Sequence, residues 1–303
     1  MDEVRNALLA DGEELPAHDE WFYITYLQEL SVLSLFTREG FICSLGSEGG
    51  ALELIGGIEG GLAAAAWSPD QSLLALVTNN NTIIAMTLTW EVVLEVAAPK
   101  RQVGSPVALS WSGDGQMLAL YTQDEGSAEG AGNVRIFSRD LELQATARGL
   151  QNGPAGDLTG LRQATISFAA GGNLVAIAQA ASARGSRPPR VIFVERNGLQ
   201  HGSLDVRVPQ RLMAQSTTDD SDDSKPAEIT ALHWNADSNL LIVGLRGQGR
   251  SVVQAYYRDN YHWYLKGEWE EPQAACLGFD MERNGRLYIS STPTGSSSSS
   301  CVR

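Results

Sequence analysis

An internal repeat constrains this 303-residue chain more than any other feature of its sequence. Four segments each begin with an aromatic residue, reach a turn residue three positions later, and continue with apolar residues six, seven and nine positions after the start. A fifth copy carries one extra residue. The aromatic anchors of the five copies are Trp67, Trp111, Phe168, Trp234 and Phe279. Each copy predicts a strand, a tight turn and a second strand, and such self-similarity indicates a fold built of stacked units.

Further strands follow within the copies. A third apolar strand follows in the first four copies, and a fourth follows in three of them, at residues 91–96, 141–146 and 262–267. The anchors are 44, 57, 66 and 45 residues apart, and the longer intervals contain insertions rich in Gly, Pro, Ser and Asp. Four strands with a period in the low forties predict an all-β fold, a WD40-like β-propeller with about five or six degenerate four-stranded blades.

The two ends of the chain differ from the repeats. Residues 1–20 hold seven acids and one Arg, and residues 291–303 are rich in Ser, so we expect both segments to be disordered. The propeller is therefore expected over residues 21–290. Residues 21–45 predict two or three strands, which form part of a further blade. The copy at Phe279 reaches only two strands, and we therefore expect the ring to be incomplete unless the N-terminal strands complete it.

Composition limits the classes of function and the compartment. The chain has 22 Lys and Arg against 36 Asp and Glu, a net charge of −14, which argues against a dedicated nucleic-acid-binding protein. Three widely spaced cysteines without a CxxC pair favour a reducing compartment, the cytoplasm with the nucleus as a second location. Two uncharged stretches of membrane-spanning length are each interrupted by turn residues, so we expect no transmembrane segment.

Catalytic motifs are absent from the sequence. It contains no nucleophile elbow, phosphate-binding loop, dinucleotide fingerprint or zinc-protease motif. The four His residues lie on different segments and could meet only in a central channel. We therefore expect no catalytic, cofactor-binding or metal-ligating residue. A propeller enzyme of the hydrolase type, with a polar site in the channel, remains the alternative.

Two short segments are candidates for contact with a partner. An aromatic stretch lies on the predicted strand at residues 262–267, where alternation exposes some rings, and Tyr and Trp are enriched in interface cores; packing between blades is the alternative. A basic cluster in the insertion at residues 182–190 is suited to phosphate or an acidic partner; a solvated loop is the alternative. The candidate residues are Tyr261, His262, Trp263, Arg184, Arg187 and Arg190.

Several motifs resemble a known family. They are WSPDQ at 67–71, WSGDGQ at 111–116, NGLQHG at 197–202, WNADS at 234–238 and NYHWYLK at 260–266. They occur in this order in the N-terminal WD40-type propeller of the scaffold subunit of the Elongator complex, its largest chain. The resemblance covers roughly residues 27–288. The last three motifs are specific in combination, whereas WSPDQ occurs in many propellers.

The resemblance implies a non-catalytic scaffold. It implies that the chain supports modification of the wobble uridine of transfer RNA at carbon 5, with the chemistry performed by a separate acetyltransferase subunit that has a radical SAM domain. That catalytic subunit and a second WD40 subunit are the implied partners, and transfer RNA is contacted only indirectly or weakly. No catalytic residue carries over. The family's second propeller, helical region and basic C-terminal segment have no counterpart here, which predicts a truncated form.

Overall fold

A computed structural model describes ten stretches of the chain. They are residues 21–46, 52–102, 104–127, 131–150, 166–181, 188–213, 227–260, 262–271, 274–281 and 287–293, with side chains described as far as residue 270. The chain divides into two compact units, the first comprising Met1–Pro99 with Thr159–Arg162 and the second Lys100–Leu158 with Gln163–Arg303. The predicted disordered segments, 1–20 and most of 291–303, lie outside the described residues.

The first unit contains two four-stranded antiparallel sheets, each with its strands in chain order. Blade 1 consists of β1 (Trp21–Leu27), β2 (Val32–Thr37), β3 (Phe41–Gly46) and β4 (Leu52–Gly57). Blade 2 consists of β5 (Leu62–Trp67), β6 (Leu73–Thr78), β7 (Thr82–Thr87) and β8 (Val92–Ala97). Blade 1 is therefore complete, whereas the sequence predicted two or three strands. The missed strand, β4, is largely exposed, so it lacks the apolar alternation that marks a half-buried strand.

The second unit contains three more four-stranded blades and a hairpin. Blade 3 consists of β9 (Ala108–Trp111), β10 (Met117–Thr122), β11 (Gly132–Ser138) and β12 (Leu143–Leu150). Blade 4 consists of β13 (Ile166–Phe168), β14 (Leu174–Gln179), β15 (Arg190–Glu195) and β16 (Gln200–Asp205). Blade 5 consists of β17 (Glu228–Trp234), β18 (Leu240–Gly247), β19 (Arg250–Asp259) and β20 (His262–Glu271). The hairpin pairs β21 (Ala274–Met281) with β22 (Leu287–Pro293).

The turn after each anchor explains the sequence repeat. The residue four positions after the anchor has a positive φ in blades 2 to 5, and its N–H donates to the carbonyl of the residue one position after the anchor at 2.8–3.0 Å. In blades 2 and 3 a Ser-x-Asp sequence closes this turn, because the Ser hydroxyl donates to the Asp carboxylate at 2.5 Å and accepts the N–H that begins the next strand at 3.0 Å. The residues with positive φ are Gln71, Gly115, Gly172 and Ser238.

The fourth strand of every blade carries a bulge. In each of the five blades it has one more residue than the third strand at the same point of the register. A bulge bends its strand and increases the local twist, so the same irregularity gives all five outer strands a similar course. In blade 4, the two residues His201 and Gly202 lie opposite the single residue Phe193. In blade 5, the extra residue is Lys266.

Within each unit, neighbouring blades are joined by apolar clusters and by specific hydrogen bonds. In the first unit, the N–H of Trp67 donates to the Tyr23 hydroxyl at 3.0 Å. In the second unit, the N–H of Phe168 donates to the Ser110 hydroxyl at 2.9 Å, and Trp234 Nε1 donates to the carbonyl of Ser167 at 3.1 Å. The predicted fold class is confirmed, since these are the four-stranded blades of a β-propeller. Among the described residues, no helix has the length and apolar character that a membrane crossing needs.

Candidate functional site

The structure describes three of the six candidate contact residues. Arg190, at the start of β15, places Nε 2.5 Å from Asp205 Oδ1 on the neighbouring strand β16, and both side chains are exposed. An exposed pair of this kind contributes roughly 0–1 kcal/mol, and it also offsets the positive charge of Arg190. Tyr261, Arg184 and Arg187 lie outside the described residues. His262 and Trp263 lie side by side at the start of β20 in blade 5.

Trp263 packs between blades 4 and 5. Its ring is stacked on Phe193 of β15, with the centroids 4.9 Å apart and the planes 10° apart, and it lies 5.7 Å from the ring of Trp234. Trp234 and Phe193 are themselves 6.0 Å apart, so the three rings form one aromatic cluster. His262, next along the alternating strand, is exposed. Because side chains alternate between the two faces of the strand, Trp263 packs between the blades and His262 lies at the surface.

A cleft opens beside this aromatic cluster. It has a volume of about 130 Å³ and combines apolar side chains with polar and basic ones. His201 is oriented by a contact of 2.7 Å between its Nδ1 and Oε1 of Glu195. The bulge at Gly202, where φ is 102°, places His201 in this position. The lining residues are Leu174, Phe193, His201, Gly202, Ser203, Arg258 and Trp263.

A hydrogen-bonded network fixes residues 206–213, the described first part of the segment that connects blade 4 to blade 5. The Tyr256 hydroxyl donates to Gln254 Oε1 at 2.8 Å and accepts the N–H of Arg207 at 2.9 Å. Burial raises the pKa of Tyr256 above its usual value, although the hydrogen bond from Arg207 opposes this shift. Arg211 of the same segment contacts Glu268 and Glu270 of β20, each at 2.6 Å. These contacts hold the connection against the outer strands of blade 5.

The other face of blade 5 carries exposed aromatic side chains. We define the outer aromatic face as Tyr257, Tyr264, Lys266 and Trp269. Lys266 Nζ lies 5.7 Å from the ring centroids of both tyrosines. The ring of Trp269 covers Gly267 so closely that a β-carbon there would lie 2.5 Å from it. Tyr264 and Trp269 are 48% and 44% exposed.

Sequence reasoning identified only part of this face. It singled out the aromatic stretch that includes Tyr264 but not Tyr257 or Trp269. These two residues could have been found from the pairing of β19 with β20. That pairing places Tyr257 opposite Tyr264 and Val253 opposite Trp269.

A polar cluster in blade 3 contains a half-buried ion pair. Arg135 and Asp124 form a salt bridge, and Asp124 also accepts hydrogen bonds from Thr122 and Asn133 at 2.8 and 2.7 Å. Burial opposes the ionisation of Asp124, but the hydrogen bonds from Arg135, Thr122 and Asn133 outweigh it and hold its pKa below the usual value. The cluster cross-links β11 to the end of β10. In the described part of the chain, no group of His, Cys, Asp and Glu is placed to hold a metal ion.

Comparison with known proteins places this chain in a family. The family model described as "ELP1 first N-terminal beta-propeller" matches residues 1–105 and 100–282. Elongator complex protein 1 of Rattus norvegicus is 27% identical over 316 residues, which cover 86% of this chain and 21% of that protein. The Schizosaccharomyces pombe protein of the same name is 26% identical, covering 78% and 20%, and the Arabidopsis thaliana protein is 25% identical, covering 90% and 20%. The chain spans about a fifth of the length of these relatives.

Proposed function

Because the chain belongs to the family of the first N-terminal propeller of Elongator complex protein 1, we propose that it acts as a non-catalytic interaction scaffold. In this role it supports modification of the wobble uridine of transfer RNA at carbon 5, and a separate catalytic subunit performs the chemistry. The observation that carries the proposal is the family match, which extends across all five four-stranded blades. No observation on the described residues favours the hydrolase-type alternative.

The chemistry of the blades suits a protein that binds other proteins. The blade cores are apolar and tightly packed, so each blade presents a rigid surface. Exposed apolar side chains occur at the outer strands of all five blades, including Leu54, Val92, Leu143, Leu199 and Tyr264. Rigid surfaces that expose a few apolar and aromatic side chains are typical of protein interfaces.

The charge distribution favours protein partners over direct binding of transfer RNA. The net charge is −14, and Arg190, the described member of the only predicted basic cluster, is paired with Asp205. Because affinity for a phosphate backbone depends on uncompensated cations, binding of transfer RNA by this chain is weak and salt-sensitive. The partners that we propose are the Elongator catalytic subunit, an acetyltransferase with a radical SAM domain, and a second WD40 subunit. We propose the cytoplasm, with the nucleus as a second location.

Co-purification tests this function. The affinity-tagged chain is expressed with the Elongator catalytic subunit, and a tagged unrelated propeller serves as the control. We expect the catalytic subunit to be retained by this chain and not by the control. Retention by the full-length relative but not by this chain, with both correctly folded by circular dichroism, would contradict the proposal.

A further inference from the structure

The turn between the third and fourth strands of blade 4 contains an Asn-Gly pair, Asn197 and Gly198. Strand β15 ends at Glu195, whose N–H donates to the carbonyl of Leu199 at 2.8 Å across the turn. The N–H of Gly198 donates to the carbonyl of Glu195 at 2.8 Å, and Gly198 has a φ of 86°. These contacts form the three-residue hairpin connection in which a left-handed glycine follows a tight turn.

The amide group of Asn197 is held from both sides. Its Oδ1 accepts the N–H of Leu199 at 3.0 Å, and its Nδ2 donates to Oε2 of Glu195 at 3.1 Å. The other carboxylate oxygen of Glu195, Oε1, lies 2.7 Å from Nδ1 of His201. One carboxylate therefore fixes both the Asn197 amide and the imidazole that lines the cleft.

An asparagine followed by glycine can react with its own backbone. After the glycine nitrogen has lost its proton to a base in the solvent, it attacks Cγ of the asparagine; the bond from Cγ to Nδ2 breaks, ammonia leaves, and a cyclic succinimide forms. Water then opens the succinimide to aspartate or to isoaspartate, so that no oxidant or reductant is needed. Glycine favours the attack because it has no β-carbon to hinder the approach.

In the closed turn, the groups that would react are already engaged. The N–H of Gly198 is hydrogen-bonded to Glu195, so loss of its proton requires that the turn first opens locally. The turn is also seated on blade 3, because a β-carbon built on Gly198 would lie 3.0 Å from the carbonyl oxygen of Thr146. The backbone therefore has little room to change its course while these contacts persist.

We propose that Asn197 is a deamidation site that the closed turn of blade 4 protects, and that the reaction, once it has occurred, prevents the turn from closing in the same way. The product has a carboxylate oxygen where Nδ2 donated to Glu195, so two like charges face each other. Isoaspartate also lengthens the backbone between Glu195 and Leu199. Either product moves Glu195 away from its present position and so alters the cleft at His201. The inference concerns a covalent modification and does not depend on the proposed scaffold function.

Peptide mapping of the full purified chain tests the protection. The chain is incubated at mildly alkaline pH and digested, and mass spectrometry follows the replacement of NH₂ by OH in the fragment that contains Asn197. Mapping is needed because Asn152 and Asn284 also precede glycines. The reference is a synthetic peptide with the sequence of residues 193–204, since an isolated two-stranded hairpin is at best marginally stable in water.

We expect Asn197 to react at least about tenfold more slowly in the folded chain than in the peptide. Leu204→Ala, which truncates a side chain of β16 that is 6% exposed, should accelerate the reaction, and so should urea below the unfolding transition. The matched control is Leu54→Ala in blade 1, where the side chain is 61% exposed, and it should leave the rate unchanged. Equal rates in chain and peptide, or no acceleration by either Leu204→Ala or urea, would overturn the protection. Absence of product in the peptide would overturn the site itself.

Two substitutions test the effect of the product. Asn197→Asp reproduces the aspartate, whereas Asn197→Ser removes the amide without adding a charge. We expect Asn197→Asp to lower the urea midpoint more than Asn197→Ser does, and the difference to disappear in the Glu195→Gln background, because the repulsion needs both carboxylates. Equal midpoints for the two variants, or a difference that persists with Glu195→Gln, would refute this part of the proposal.

Discussion

The fourth strands of blades 4 and 5 have matching registers but different surroundings. Both fourth strands contain a bulge followed by a glycine and, two residues later, by a large apolar side chain. In blade 4 that side chain, Leu204, is buried, whereas its counterpart Trp269 is exposed. The difference shows that the role of an aromatic residue in this repeat depends on which blade lies beside it. Trp263 and Trp269, on one strand, therefore belong to two different environments.

The largest effect is expected from removing the packed tryptophan. Trp263→Ala deletes a ring that is stacked on Phe193 and in contact with Trp234, and we expect the free energy of unfolding to fall by about 3 kcal/mol. Trp269→Ala on the same strand should lower it by less, about 1 kcal/mol, because that side chain is 44% exposed. Urea unfolding followed by far-ultraviolet circular dichroism measures both. Equal losses in the two variants would abolish the distinction between the covered and the exposed face.

The glycines at the two bulges provide a second comparison between blades 4 and 5, in which we expect stability changes of intermediate size. Gly202 has a φ of 102°, and a β-carbon added there would have no other atom within 4 Å, so Gly202→Ala acts through backbone strain and should cost about 1–2 kcal/mol. Gly267 has no such φ, and the three atoms nearest to a β-carbon placed there all belong to the ring of Trp269. Because an exposed ring can move, Gly267→Ala should cost less than about 1 kcal/mol.

A double variant provides the check on that interpretation. If Gly267→Ala acts only by displacing the indole, its effect on stability should disappear in the Trp269→Ala background, whereas the effect of Gly202→Ala should be the same in both backgrounds. Additive losses for Gly267→Ala and Trp269→Ala would mean that Gly267 is needed for its backbone and not for the ring above it.

The repeating unit could be predicted from the sequence alone, but not all of its outermost strands could. Anchors such as Trp67 and Trp234 could be recognised because they are buried beside turns with fixed geometry, and the predicted propeller follows from them. Strand β4, LELIGG, could not, because an outer strand with solvent on both sides has no required alternation. For the candidate site, the motif NYHWYLK located the correct strand, but only the structure shows which blade covers Trp263. The contribution of Trp269 depends on cross-strand pairing, which a linear pattern does not contain.

The smallest effects concern the charged groups at the matched bulges. His201 in blade 4 contacts Glu195, and Lys266 in blade 5 lies over two tyrosine rings in place of a carboxylate. Glu195→Gln and Lys266→Ala should each change the free energy of unfolding by less than about 1 kcal/mol, since both pairs are exposed. Urea unfolding at low and high ionic strength should show little salt dependence of the Lys266→Ala effect, because the partners of Lys266 are uncharged rings. A loss of stability in Lys266→Ala that shrinks markedly at high ionic strength would show that acidic residues, and not the tyrosines, hold the ammonium group.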